Sequence, residues 1–179
     1  MKLNKLFSLM KQHKSVQIRH GQAAQWVGDS SSLYPVYNLP PLSESAIQTL
    51  LGVSDDAWDK FTFDDYPTMK LCEDDTFRDM YQLDRMKITL HWSGRTLIPL
   101  IGGGKIFFIQ EKYLKPFDDD SLLSFWLRDD PAQIGGIIGI NEGMCLGGLV
   151  MPVVVNDMVF TETLYRIYDL TKRQAGEEL

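Results

Sequence analysis

The stretch KITLHWSGRTLIPLIGGGKIFFI, residues 87–109, holds three runs of strand composition separated by two short turns. Ile88, Leu90 and Trp92 alternate with Thr89 and His91, the period of two that a half-buried strand requires. Ser93-Gly94 suits a tight hairpin turn, and Thr96–Ile101 brings the chain back. Gly102-Gly103-Gly104 then turns it into Ile106–Ile109. Turns this short join antiparallel neighbours, since a parallel pair needs a crossover of roughly a dozen residues or more. Lys112–Lys115 reads as a short helical stretch stopped by Pro116.

The same order, strands and then a short helix, recurs on both sides of this stretch. The three runs are Val16–Leu51, Lys87–Lys115 and Leu122–Leu170. Before the first, Leu3, Leu6, Phe7 and Met10 fall on one face of a helix over residues 3–13. Val16–Ile18, Ala24–Val27 and Leu33–Tyr37 are strand candidates, halted by Pro40-Pro41. Ser43 suits an N-cap, Leu42 and Ile47 have staple spacing, and Gly52 suits the stop. Ser54 opens a second short helix anchored by Trp58 and Phe61. In the last run, Leu122–Leu127, Ile134–Ile140 and Leu146–Val155 read as strands. Asn156 or Asp157 caps a final helix with the stripe Phe160, Leu164, Ile167 and Tyr168.

These patterns predict an α+β fold: antiparallel sheets with short helices packed on one face, in repeated meander-and-helix units. Residues 1–61 form the first unit, and residues 87–175 the second and third, packed with the first. Residues 62–86 stand apart, because Asp64, Asp65, Glu73, Asp74, Asp75, Asp79 and Asp84 make them strongly acidic. They read as an excursion with one helical turn near Phe77, Met80 and Tyr81.

The 179 residues are 44% hydrophobic and 23% charged, which is ordinary for a globular chain. A net charge of −6 argues against a uniformly basic nucleic-acid binder but leaves room for a local basic face. Cys72 and Cys145 lie far apart, outside any metal spacing, and fit a reducing compartment. The apolar run after Lys2 and Lys5 ends at Lys11, too short for a signal sequence. No stretch is long enough to span a membrane. The expected location is cytoplasmic.

Each motif with a chemical reading has a plainer competitor. Gly102-Gly103-Gly104-Lys105 lacks the spacing of a phosphate loop and runs into strand residues, not a helix. Asp118-Asp119-Asp120 lacks the central glycine and closing glutamate of a calcium loop, so solvated charge is expected. His13, His20 and His91 show no zinc spacing, and Ser30-Ser31-Ser32 lacks the nucleophile-elbow frame. Cys145 reads as a buried strand cysteine. No catalytic residue, metal or cofactor is expected.

Basic residues gather on three predicted helices: Lys2, Lys5, Lys11 and Lys14; Lys112 and Lys115; Arg166, Lys172 and Arg173. Lysines on outer helix faces commonly serve solubility. A shared basic face would instead hold a phosphate backbone without reading sequence.

Leu149-Val150-Met151-Pro152-Val153 resembles the strand of DNA sliding clamps that ends in Val-Met-Pro. Lys112-Tyr113-Leu114, Leu122–Arg128 and Ile134–Ile140 resemble the helix and strands that lead into it. The resemblance covers about the last 65 residues, and the chain continues past Val-Met-Pro into another helix. It implies a homo-oligomeric ring around double-stranded DNA. Lys5, Lys11, Lys14, Lys112, Lys115, Arg166, Lys172 and Arg173 would face the phosphates, and Val150, Met151 and Pro152 would form a groove for a partner peptide. The alternative is a protein-interaction or small-ligand module, of phage or mobile-element type, with no nucleic-acid role. Both readings are non-enzymatic.

Overall fold

The computed structural model describes residues 1–68, 79–119, 121–129 and 136–174, and of Asp79, Met80, Arg173 and Gln174 only the backbone. The helices are α1 (Leu3–His13), α2 (Glu44–Leu51), α3 (Asp55–Trp58) and α4 (Met158–Gln174), with a 3-10 helix at Glu111–Leu114. The strands are β1 (Ser15–His20), β2 (Gln25–Asp29), β3 (Ser32–Val36), β4 (Thr62–Tyr66), β5 (Asp79–Arg85) and β6 (Leu90–Trp92). They continue with β7 (Arg95–Gly102), β8 (Lys105–Gln110), β9 (Leu123–Arg128), β10 (Ile137–Glu142) and β11 (Cys145–Val150).

Local chemistry sets most of these boundaries. α1 stops where Lys14 turns left-handed and donates its N–H to the Met10 carbonyl. Ser43 Oγ accepts from the Ala46 N–H at the start of α2. Asp157 Oδ1 accepts from the Phe160 N–H at 2.9 Å, so Asp157 caps α4. Ser93 and Gly94 both have positive φ, as do Gly103 and Gly104, which matches the two-residue hairpin turn whose twist suits the strands.

All strands lie in one mostly antiparallel sheet, ordered β4-β1-β2-β3-β11-β10-β9-β5-β7-β6, with β8 on the other side of β7. The sheet curls back on itself. Met151 N donates to Ser31 O at 2.8 Å, and Val153 N then donates to Phe108 O at 2.7 Å. The segment leaving β11 therefore runs from β3 to the free side of β8. Val16, Ile18, Val27, Tyr34, Ile98, Leu100, Ile138 and Ile140 point inward and form the main core with Leu6, Leu9 and Met10 of α1 and Ile47 of α2.

The helices divide between two sides of the sheet. α1 and α2 share the main core. α4 instead contributes Leu164 and Phe160 to a separate cluster with Leu97 and Phe108. Leu97 and Ile98 are adjacent in β7 and so point to opposite faces, which puts α4 across the sheet from α1.

Residues 62–86 are not an excursion where they are described. Thr62–Tyr66 is β4, paired in parallel with β1, and Asp79–Arg85 is β5, between β9 and β7. Asp64 and Asp65 lie on an edge strand, where charge discourages pairing with another chain. Leu83, 2% exposed, anchors β5 in the core. Tyr81 is in that strand and not in a helical turn, while Glu73, Asp74, Asp75 and Phe77 lie outside the described residues. The last strand ends at Val150, short of Val155, because Pro152 interrupts the ladder before Val153 makes its single bridge. Ile134 and Asp120 lie outside the described residues.

Candidate functional site

The β2–β3 turn, Asp29-Ser30-Ser31-Ser32, brings three separate parts of the chain together. Asp29 is 2% exposed. Its Oδ1 accepts from the Ser31 N–H and the Ser32 hydroxyl, both at 2.9 Å, and its Oδ2 is hydrogen-bonded to His13 Nδ1. His13 Nε2 lies 2.6 Å from Lys112 Nζ. With the Lys112 ammonium as donor, Nε2 accepts, and the imidazole proton sits on Nδ1, facing Asp29. The end of α1, the turn and the 3-10 helix are thus joined by one hydrogen-bonded chain.

Tyr113 packs edge-on against the His13 ring. Burial, followed by the nearby Asp29 carboxylate, pushes the Tyr113 hydroxyl up to about 12. Burial lowers the Lys112 ammonium from its ordinary value; Asp29 opposes this, while Arg95 and Lys115 add to it.

This arrangement is not a nucleophilic triad. Ser32 bonds to the carboxylate, and the imidazole nitrogen that would activate a hydroxyl is occupied by Lys112. Among the described residues no group of three or more His, Cys, Asp and Glu comes together to hold a metal. Cys145 is exposed at the start of β11, next to the Gly143-Met144 turn, contrary to the buried placement expected of a strand cysteine. Cys72 lies outside the described residues.

The same turn walls a small pocket of about 150 Å³, lined by Gln17, Arg19, Asp29, Ser30–Ser32, Leu33, Ile137, Leu149 and Met151, with both Asp29 oxygens already taken by His13, Ser31 and Ser32. The Arg19 guanidinium stacks over Tyr66 at 4.3 Å, and its Nε is buried with no hydrogen-bond partner among the described residues. Met151 lines this recess. Val150 does not: it is fully buried in the main core, since it alternates with Met151 along the strand. Pro152 is half-buried.

The basic residues separate into two groups. Lys11 donates to Leu51 O at 3.2 Å, and Lys14 O accepts from Thr62 N, so both border the α1 terminus that Lys112 reaches. Lys5, Lys14 and Lys115 are exposed. Arg166 and Lys172 belong to α4, across the sheet. Lys172 is held by Asp84 at 3.1 Å, and Tyr168 donates to the same carboxylate at 2.7 Å. Lys2 pairs with Asp118 and Asp119. The side chain of Arg173 lies outside the described residues.

Arg19, His13 and Asp29 carry no motif in the sequence. A histidine at the last position of a helix and an aspartate in a serine-rich turn give no sign that they meet. No helix among the described residues is long and apolar enough to cross a membrane. No family model, curated protein or solved structure matches the chain.

Proposed function

We propose that this chain is a non-enzymatic binding protein that takes an acidic segment of a protein partner at the β2–β3 turn. The pocket beside Arg19 carries this reading. It sets a cation with an unpartnered Nε and serine hydroxyls against the apolar side chains of Leu33, Leu149 and Met151. A carboxylate next to an apolar side chain matches both parts. The test is a peptide-display selection against the wild type and the Arg19→Glu and Met151→Asp variants. Enrichment of acidic sequences that depends on both residues is the expected result. Enrichment that ignores both overturns the proposal.

A second reading is a DNA-associated factor of sliding-clamp type. It is favoured by the contact of Lys112 with His13, which sets the 3-10 helix beside the lysines at the end of α1. Exposed lysines there would contact phosphates independently of sequence, with affinity falling steeply as salt rises. Duplex binding at low salt that is abolished by charge reversal at Lys11, Lys14 and Lys115 supports it. Binding that is absent, or unchanged in that variant, removes it.

A further inference from the structure

α4 carries two stripes, and the fold uses one. Phe160, Leu164 and Tyr168 face the body of the protein. Val159, Thr163, Ile167 and Leu170, spaced by four, four and three residues, form a second line along the helix. Val159 is 76% exposed, Ile167 45% and Leu170 58%. Ile88, also exposed, lies beside Ile167 across the cavity between α4 and the β5–β6 connection. An apolar line of this length, open to water on a surface helix, marks an association surface.

Charge identifies the partner. Glu162 and Arg166 border the second stripe on the same flank, and both are exposed. They stand four residues apart, yet no ion pair joins them, and neither has another polar partner among the described residues. In an antiparallel helix pair equal flanks face each other with their order reversed. A two-fold axis crossing the second stripe at the level of position 164 then sets Glu162 of one copy against Arg166 of the other, and the reverse. The same axis brings Val159 opposite Leu170. A parallel pairing would lose both matches.

We infer that α4 is the contact of a two-fold homodimer, in which the second stripe packs against its own copy in antiparallel register. The surface is self-complementary, as a closed two-fold interface must be. It is also small, one helix face with Ile88 at its margin, where a standard interface buries roughly 800 Å² per partner. The dimer is therefore concentration-dependent.

Sedimentation equilibrium of the full chain from low to high micromolar concentration tests this. A reversible monomer–dimer equilibrium is expected. Ile167→Asp should abolish it with an unchanged circular dichroism spectrum. Glu162→Arg should weaken it at least tenfold, and the swap Glu162→Arg with Arg166→Glu should restore it. A monomer at every concentration, a dimer indifferent to Ile167→Asp, or a failure of the swap to restore association overturns the inference.

Discussion

The Tyr34 hydroxyl donates to the Tyr113 carbonyl oxygen at 2.7 Å, across 79 positions of sequence, and ties β3 to the 3-10 helix from inside the core. Both partners are buried, so neither can exchange this bond for one to water. Tyr34→Phe leaves the carbonyl without its donor and should cost about 1–3 kcal/mol. Urea unfolding, read by its midpoint at unchanged slope, measures the loss.

The same two rings set the alkaline behaviour. Burial holds the Tyr34 hydroxyl far above its ordinary value and Tyr113 at about 12. An unfolded tyrosine loses its proton near pH ~10 while the folded ones keep theirs, so the folded state binds more protons above that point. The two tyrosines should add no pH dependence below pH ~10, and stability should fall steadily as pH rises from there toward ~12. Thermal unfolding across that interval checks the sign, and Tyr113→Phe should make the decline shallower.

Asp29 is buried against three donors, so Asp29→Ala should be among the most damaging single changes, at about 3 kcal/mol. His13→Ala removes one of those bonds and the acceptor for Lys112. The two effects should overlap. A double-mutant cycle should give a coupling of about 1 kcal/mol or more, and strict additivity would mean that the chain of hydrogen bonds does not act as a unit.

The Asp84 carboxyl is lowered first by the Tyr168 hydroxyl and then by Lys172. A depressed carboxylate contributes stability that is present above pH ~4 and lost as pH falls through the folded-state value. Its side chain is more than half exposed, so the contribution is about 0.5 kcal/mol and salt-sensitive. Asp84→Asn should lower the melting temperature slightly at neutral pH, and the gap to the wild type should close on acidification.

Gly28 faces the backbone of its hairpin partner. A Cβ there would lie 1.8 Å from the Ser32 carbonyl oxygen, so β2 and β3 would have to separate. Gly28→Ala should cost at least about 2 kcal/mol and loosen the turn that presents Asp29. Hydrogen exchange at the Val27 and Tyr34 amides would register the opening.

The alternation in residues 87–109 and the paired turn residues revealed the hairpins, because those signals are local. α1 and α2 were legible for the same reason: their stripes and caps lie within one helix. β4 was not, since its partner β1 is parallel and distant, and its acidic composition resembles that of a solvent loop. Nor did the stripe Phe160–Tyr168 reveal which side of the sheet α4 would cover, because amphipathicity specifies a buried face without saying what buries it. The meeting of His13, Asp29 and Lys112 depends on three segments converging in space. Val150 and Met151 are neighbours in sequence, and the core side chain could not be told from the recess-lining one until the strand's facing was known.

The bridge from Val153 to Phe108 has a consequence for biosynthesis. Phe108 leaves the ribosome well before Val153, so the outward side of β8 emerges with its amides and carbonyls unmatched. During that interval the nascent polypeptide offers a sticky margin to neighbouring chains, and the arrival of Val153 covers it at Phe108.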